Sequence, residues 1–205
     1  MKAPRQNKPI DTGAVLLAQV PRLSAFPALV RQGLVYALQK LVCEDRINEF
    51  LIENAAVQDF QFIDQVFSHL KIDFFAGDQD IEHIPPKGRV IIVANHPLGG
   101  LDGLALLRLV ASVRRDVRIV ANEVLLHINQ LNNLLFPVDV MGGETKKAYI
   151  YRIKQALYND EAVIIFPAGE VSRAGAKGIR DRNWLPGFIQ LAKSTRSPVL
   201  PVHIK

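Results

Sequence analysis

Two apolar runs, Val90-Ile91-Ile92-Val93-Ala94 and Ala162-Val163-Ile164-Ile165-Phe166, constrain this chain more than anything else in it. Neither alternates with polar residues, so each reads as a strand buried on both faces, as parallel strands covered by helices are. Both stop in polar, glycine-bearing loops. The first is Asn95-His96-Pro97-Leu98-Gly99-Gly100-Leu101-Asp102, and the second is Pro167-Ala168-Gly169-Glu170-Val171-Ser172-Arg173. In a parallel sheet such loops share one crevice at the carboxyl ends of the strands, where ligands bind. The expected fold class is α/β, a mostly parallel sheet flanked by helices, with an N-terminal helical segment.

The rest of the chain fits that plan. From Lys71 onward, strands are expected at 72–75, 117–121, 138–141 and 199–204, and helices at 102–114, 124–128 and 146–158. Upstream, Pro27 opens a helix carrying Leu29, Val30, Leu34, Leu38, Leu41 and Val42, followed by helices from Ile47 to about Ala55 and from Phe60 to Leu70. Residues 1–70 therefore read as a tail and helical segment packing on the core or on a membrane, and 71–205 as the α/β domain. The polar opening residues are expected to be disordered or loosely draped. A chain ending just past its last strand raises the expectation of a missing C-terminal part.

With 205 residues, 49% of them hydrophobic, the chain can bury one full core. The single cysteine, Cys43, excludes an internal disulfide and fits a reducing compartment. No secretory signal is legible, and Arg22, Arg31 and Lys40 interrupt the nearest approach to a membrane span. A net charge of +5 suits an anionic lipid surface or nucleic acid. Zinc-finger spacing, an RNA-recognition aromatic block and a lysine run are all absent, so nucleic acid is the weaker partner. Arg114, Arg115 and Arg118 read as a solvated face at a helix end. His69, His83, His127 and His203 are scattered, so no metal is assigned. Gly142-Gly143 is not a dinucleotide fingerprint, and Ser172 lacks a nucleophile elbow.

His96 falls where a strand ends and Asp102 where a helix begins. A carboxylate there can hold one ring nitrogen while the other takes a proton, which makes a general base. Asp102 as a simple N-cap of a strand-to-helix loop is an equally good reading of these residues alone. The second loop adds Glu170 and Arg173, with Lys177, Arg180 and Arg182 following. Cations beside a base suit an anionic substrate, a phosphate or a carboxylate.

These blocks resemble the glycerophosphate and lysophosphatidate acyltransferase (lysophospholipid acyltransferase) superfamily. Its first block is Asn-His-(four residues)-Asp, its third Phe-Pro-Glu-Gly-Thr-Arg-Ser, and its fourth a short apolar run with an internal proline. The counterparts are Asn95 to Asp102, Phe166 to Arg173, and Val199-Leu200-Pro201-Val202, with Trp184 to Ala192 in the family's order between them. The resemblance spans roughly residues 72–205. Five residues separate His96 from Asp102, a spacing similar to the hemolysin-like or ornithine-lipid branch. Ala168 stands where the family has Glu, and the acid and the arginine are displaced to Glu170 and Arg173. The second block has no clear match in Phe136 to Glu144, with Lys146 and Lys147 just after, which puts a glycerol phosphate head group in doubt.

The resemblance implies an O-acyltransferase using an acyl carrier protein or coenzyme A thioester as co-substrate, with no bound cofactor. The acceptor is then the hydroxyl or amine of a lyso-lipid, and the location is peripheral, at an anionic membrane surface on its cytoplasmic face. His96 would be the base and Asp102 its partner. Amides near Gly99, Gly100 or Gly169 would hold the oxyanion. Asn95, Gly99, Gly100, Glu170, Arg173, Lys177 and Arg180 would line the substrate site. Glu170 either orients the acceptor or braces Arg173. The rival readings are an inactive lipid-binding protein of the same fold and, less well supported, an electrostatic RNA-binding protein.

Overall fold

In the computed structural model, which describes residues 9–122, 125, 128–138, 146–175 and 178–205, the apolar runs lie side by side at the centre of one sheet. In chain order the elements begin with helices α1 (Thr12–Gln19), α2 (Ala28–Leu41), α3 (Glu44–Glu53), α4 (Asp59–Leu70) and α5 (Asp78–Glu82). Strand β1 (Val90–Ala94), helix α6 (Gly100–Ala111), strands β2 (Val117–Asn122) and β3 (Leu135–Val138), helix α7 (Lys146–Tyr158) and strand β4 (Ala162–Ile165) follow. A short hairpin, β5 (Arg173–Gly175) and β6 (Gly178–Arg180), precedes helix α8 (Gly187–Thr195) and strand β7 (Val199–Val202). The large sheet runs β3-β2-β4-β1-β7, with every pair parallel.

The unbroken apolar character of β1 follows from having a packed layer on each face. Val90, Ile92 and Ala94 join Ala162 and Ile164 of β4 on one face, under Leu106, Leu107 and Val110 of α6 and Phe62, Ile63 and Phe67 of α4. Ile91, Val93 and Val163 point the other way, against Ile153, Ala156 and Leu157 of α7. Phe188, Leu191 and Ala192 of α8 pack on that second layer. Each fully buried valine, leucine, isoleucine or phenylalanine among them contributes roughly 1.5–3 kcal/mol. The core of the sheet therefore includes α4, so the N-terminal helices and the sheet share one apolar interior.

Ile10 and Thr12, at the start of α1, are tied down as well. Asn48 of α3 exchanges two hydrogen bonds with the Ile10 backbone at 2.8 Å each, and the Glu44 carboxylate accepts from the Thr12 amide at 3.0 Å. By contrast, α2 buries none of its residues. Among the described residues no helix is long and apolar enough to cross a membrane.

Several expectations need correction. Residues 72–75 form no strand. Asp73 accepts the following Phe74 amide at 2.9 Å, diverting a ladder donor, and the Phe74 ring packs edge-on against Phe67. The third strand begins earlier than expected, at Leu135, and of the expected 138–141 only Val138 is described. The expected helix at 124–128 lies almost wholly outside the described residues, as do the opening residues, His127, Gly142, Gly143, Glu144 and Lys177. The arginine trio is not a solvated face. Arg114 is buried and donates to Asp116 through two nitrogens, at 2.8 and 2.6 Å, and to the carbonyls of Pro85, Gly88 and Asp160. Arg118 pairs with Glu161 and lies 4.4 Å over the Phe136 ring, leaving only Arg115 exposed.

Candidate active site

Adjacent strands β1 and β4 run in register, Val93 opposite Ile165, so the loops that follow them emerge together at one end of the sheet. They touch along their backbones. The Ser172 amide donates to the His96 carbonyl at 2.8 Å, and a Cβ added at Gly99 would lie 3.3 Å from Val171. Gly99 also holds φ 74°, a left-handed conformation that favours glycine, so the backbone demands this residue.

His96 and Asp102 meet directly. The imidazole Nδ1 is 3.1 Å from Asp102 Oδ2. The same oxygen accepts the amides of Leu98 at 2.8 Å and Gly99 at 3.1 Å. Asp102 is the third residue of α6 and Gly99 its N-cap, so the carboxylate caps the helix through the Gly99 amide. Gly99 has no side chain to return the bond. Both readings of Asp102 are therefore realised in one oxygen: it fixes the loop, and it fixes the ring. Its side chain is 1% exposed.

The rest of the His96 environment is equally constrained. Its ring stacks on Phe166, centroids 4.0 Å apart and planes 18° apart. Its own amide donates to Asp181 Oδ1 at 3.1 Å. Burial pushes the His96 imidazole below its ordinary value of 6.5, and the attraction of Asp102 and Asp181 recovers only part of that shift. The ring is thus neutral at pH 7. With Nδ1 turned to Asp102, Nε2 is the nitrogen left to accept a proton.

Asp181 escaped the sequence reading, where it stands unmarked among cations. Its carboxylate takes the His96 amide, the Ser172 hydroxyl and, at 2.8 Å, the Trp184 indole N–H. Burial works to raise its pKa, but the hydrogen bonds from Ser172, His96 and Trp184 outweigh burial and hold the carboxyl below its usual range. No spacing rule would have singled it out. Only the fold brings it to His96.

The other expected site residues fall in three places. Asn95 donates to the Ile204 carbonyl and accepts the Ile204 amide, both at 2.7 Å, so its amide clasps the exit of β7 to that of β1. Glu170 pairs with Arg173 at 2.7 Å and with Arg182 at 3.2 Å, which makes it the brace of two cations. Arg173 stands opposite Arg180 across the hairpin, and its side chain is 70% exposed. Ala168, at the family's usual glutamate position, is buried. Of the glycine amides, Gly99 already donates to Asp102 and Gly169 to the Phe166 carbonyl, which leaves Gly100 at the N-terminus of α6. Among the described residues no group of side chains is placed to hold a metal ion.

Behind Phe166 a cavity of about 660 Å³ opens between α7 and α8. Val120, Ile153, Ile165, Phe188 and Leu191 line its apolar part, and Phe166 forms the wall between it and His96.

A family model described as Acyltransferase matches residues 18–205. The chain is 30% identical over 195 residues to the lyso-glycine lipid O-acyltransferase of Bacteroides thetaiotaomicron, covering 95% of this chain and 70% of that protein. It is 28% identical over 169 residues to the protein of the same name from Phocaeicola vulgatus, covering 82% of this chain and 60% of that one. The chain thus spans between 60% and 70% of the length of these two relatives. An all-parallel sheet, a paired His96 and Asp102 at its carboxyl end and a match along nine-tenths of the sequence agree: this chain belongs to the lysophospholipid acyltransferase family.

Proposed function

We propose that this protein is a lipid O-acyltransferase that moves a fatty acyl group from an acyl carrier protein or coenzyme A thioester to the hydroxyl of a lyso-lipid. The neutral, half-buried His96 held by the buried Asp102 carries this reading. His96 Nε2 takes the acceptor's proton as its oxygen attacks the thioester carbonyl. Asp102 stabilises the imidazolium that forms. When the tetrahedral intermediate collapses, the carbon–sulfur bond breaks and the thiolate recovers the proton from the imidazolium. The Gly100 amide, with the partial positive charge of the α6 N-terminus behind it, is suited to hold the oxyanion meanwhile.

The acceptor follows from the cations. Glu170 neutralises one charge of the Arg173–Arg182 pair, so that part of the loop keeps one positive charge in excess, apart from the Asp102 and Asp181 carboxylates that face His96. An anionic head group such as the carboxylate of a lyso-glycine lipid suits it, in keeping with the names of the two relatives. The cavity behind Phe166 falls within the usual range of ligand sites, about 300–1,000 Å³, and its lining suits an alkyl chain. Helix α2 turns Leu29, Val30, Leu34 and Leu41 to solvent near Arg31 and Lys40, which suits peripheral attachment to an anionic bilayer.

The test is direct. Purified protein is incubated with acyl-coenzyme A or acyl carrier protein thioesters and a panel of lyso-glycine, lyso-ornithine and lysophosphatidate lipids. An O-acylated lyso-glycine lipid is expected, with His96→Ala lowering turnover at least about a hundredfold. Vesicle binding without transfer for any pair would replace the enzyme with a lipid-binding protein.

A further inference from the structure

The main chain of His96 is gripped on both sides. Its N–H reaches Asp181 Oδ1 at 3.1 Å, and its carbonyl accepts the Ser172 amide at 2.8 Å. Ser172 closes the loop, because its hydroxyl bonds the same Asp181 oxygen. The other Asp181 oxygen takes the Trp184 indole at 2.8 Å, and Trp184 packs edge-on against Phe188 of α8. One carboxylate therefore joins the β1–α6 loop, the loop holding Glu170 and Arg173, and the approach to α8. Asp102 fixes the ring of His96 but does not touch its backbone amide. The Asp181 carboxylate is what holds that amide.

We infer that Asp181 is a positioning residue for His96, holding the base in register with the head-group loop through the His96 amide and the Ser172 hydroxyl. The inference rests on His96 being the base. Its chemistry is that of a charged acceptor satisfying three donors of different segments, the strongest ordinary form of hydrogen bond. Displacing a reacting group by about 1 Å can cost on the order of a hundredfold in rate. The carboxylate has a second effect: its negative charge favours the protonated ring of His96, so it sets where the base titrates as well as where it stands.

The experiment compares Asp181→Asn, Asp181→Ala and His96→Ala in the full chain, with thioester and lyso-lipid varied separately. Asp181→Asn keeps an oxygen for the His96 amide but lacks the charge and cannot accept the Trp184 proton with its nitrogen. It is expected to lower kcat about three- to tenfold with both KM values within about twofold, and to move the acid limb of kcat/KM to lower pH. Asp181→Ala is expected to lower kcat by about tenfold to a hundredfold. A merely structural carboxylate would not move the limb. Should Asp181→Ala misfold, Asp181→Asn decides alone. If Asp181→Asn has normal kcat and an unmoved limb, or alters only the acceptor's KM, while His96→Ala is inactive, this inference fails and the base stands. If His96→Ala retains turnover, the base reading fails and takes this inference with it.

Discussion

Replacing Asp102 by asparagine separates its two duties most sharply. The oxygen at 3.1 Å from the imidazole also holds the Leu98 and Gly99 amides, and an asparagine oxygen in the same place can go on accepting from all three. What is lost is the charge. Two unit charges about 4 Å apart interact by about 4 kcal/mol at an effective dielectric constant near 20, which sets the upper end for a carboxylate beside a full imidazolium. With the proton only partly transferred at the transition state, about half of that applies. A loss of roughly 2–4 kcal/mol corresponds to a fall in turnover of about 30- to 1,000-fold. The assay is steady-state acyl transfer, with circular dichroism and a melting curve to show that the variant is folded. The backbone caps persist, so the melting temperature should change little. A folded Asp102→Asn protein with turnover within about threefold of the parent would mean that the Asp102 charge does nothing for the imidazolium, and the electrostatic part of the mechanism would have to be abandoned.

The His96 imidazole sits below its ordinary value, and the base must be neutral. The acid limb of kcat/KM should therefore fall below pH 6.5, and activity should be flat from there through neutrality; a limb above pH 7 would contradict the site. The same shift makes a stability contribution that is present above pH 6.5 and lost as pH falls through the lowered folded value, readable in melting curves. Arg173→Lys should raise the KM for an anionic acceptor several-fold with the thioester's nearly unchanged, because lysine lacks the planar two-point grip. An effect confined to vesicle binding would move Arg173 to the membrane face. Arg114→Ala should cost about 1–3 kcal/mol by denaturant titration, since it removes the donors of three backbone carbonyls around one buried guanidinium, while the half-exposed Asp116 is left to water.

How much of this was legible in the sequence depends on the range of the interaction. Strands β1 and β4 and helix α7 follow from local apolar patterning, and their bounds lie within a residue or so of expectation. The meeting of His96 with Asp102 is also local, six positions apart. Residues 72–75 misled because three apolar residues around one aspartate cannot report that Asp73 takes its neighbour's amide. Arg114 misled because a cation at a helix end is ordinarily solvated, and its acceptors at Pro85, Gly88 and Asp160 lie up to 46 positions away. Helix α8 is legible in its spacing, with Phe188, Leu191 and Ala192 at i, i+3 and i+4 behind Pro186, although the strand-and-loop expectation for this stretch does not include it. Asp181 was not readable at all: its bond to His96 spans 85 positions and has no counterpart in either residue's neighbours.

The placing of β4 between β1 and β2 carries a burden for biogenesis. During synthesis β1 emerges first, and its neighbours on both edges, β4 and β7, arrive about seventy and about a hundred residues later. At roughly 5–20 residues per second, Val-Ile-Ile-Val-Ala waits for several seconds with both edges unpaired. A short, uncharged, β-branched segment in that state is the kind that pairs with another copy of itself. Helix α4 and the α6 segment are made before β4 and can shelter one face of the strand, but neither can occupy an edge. Holding chaperones, slower translation or lower temperature should therefore raise the soluble yield of this protein more than any change at the finished surface.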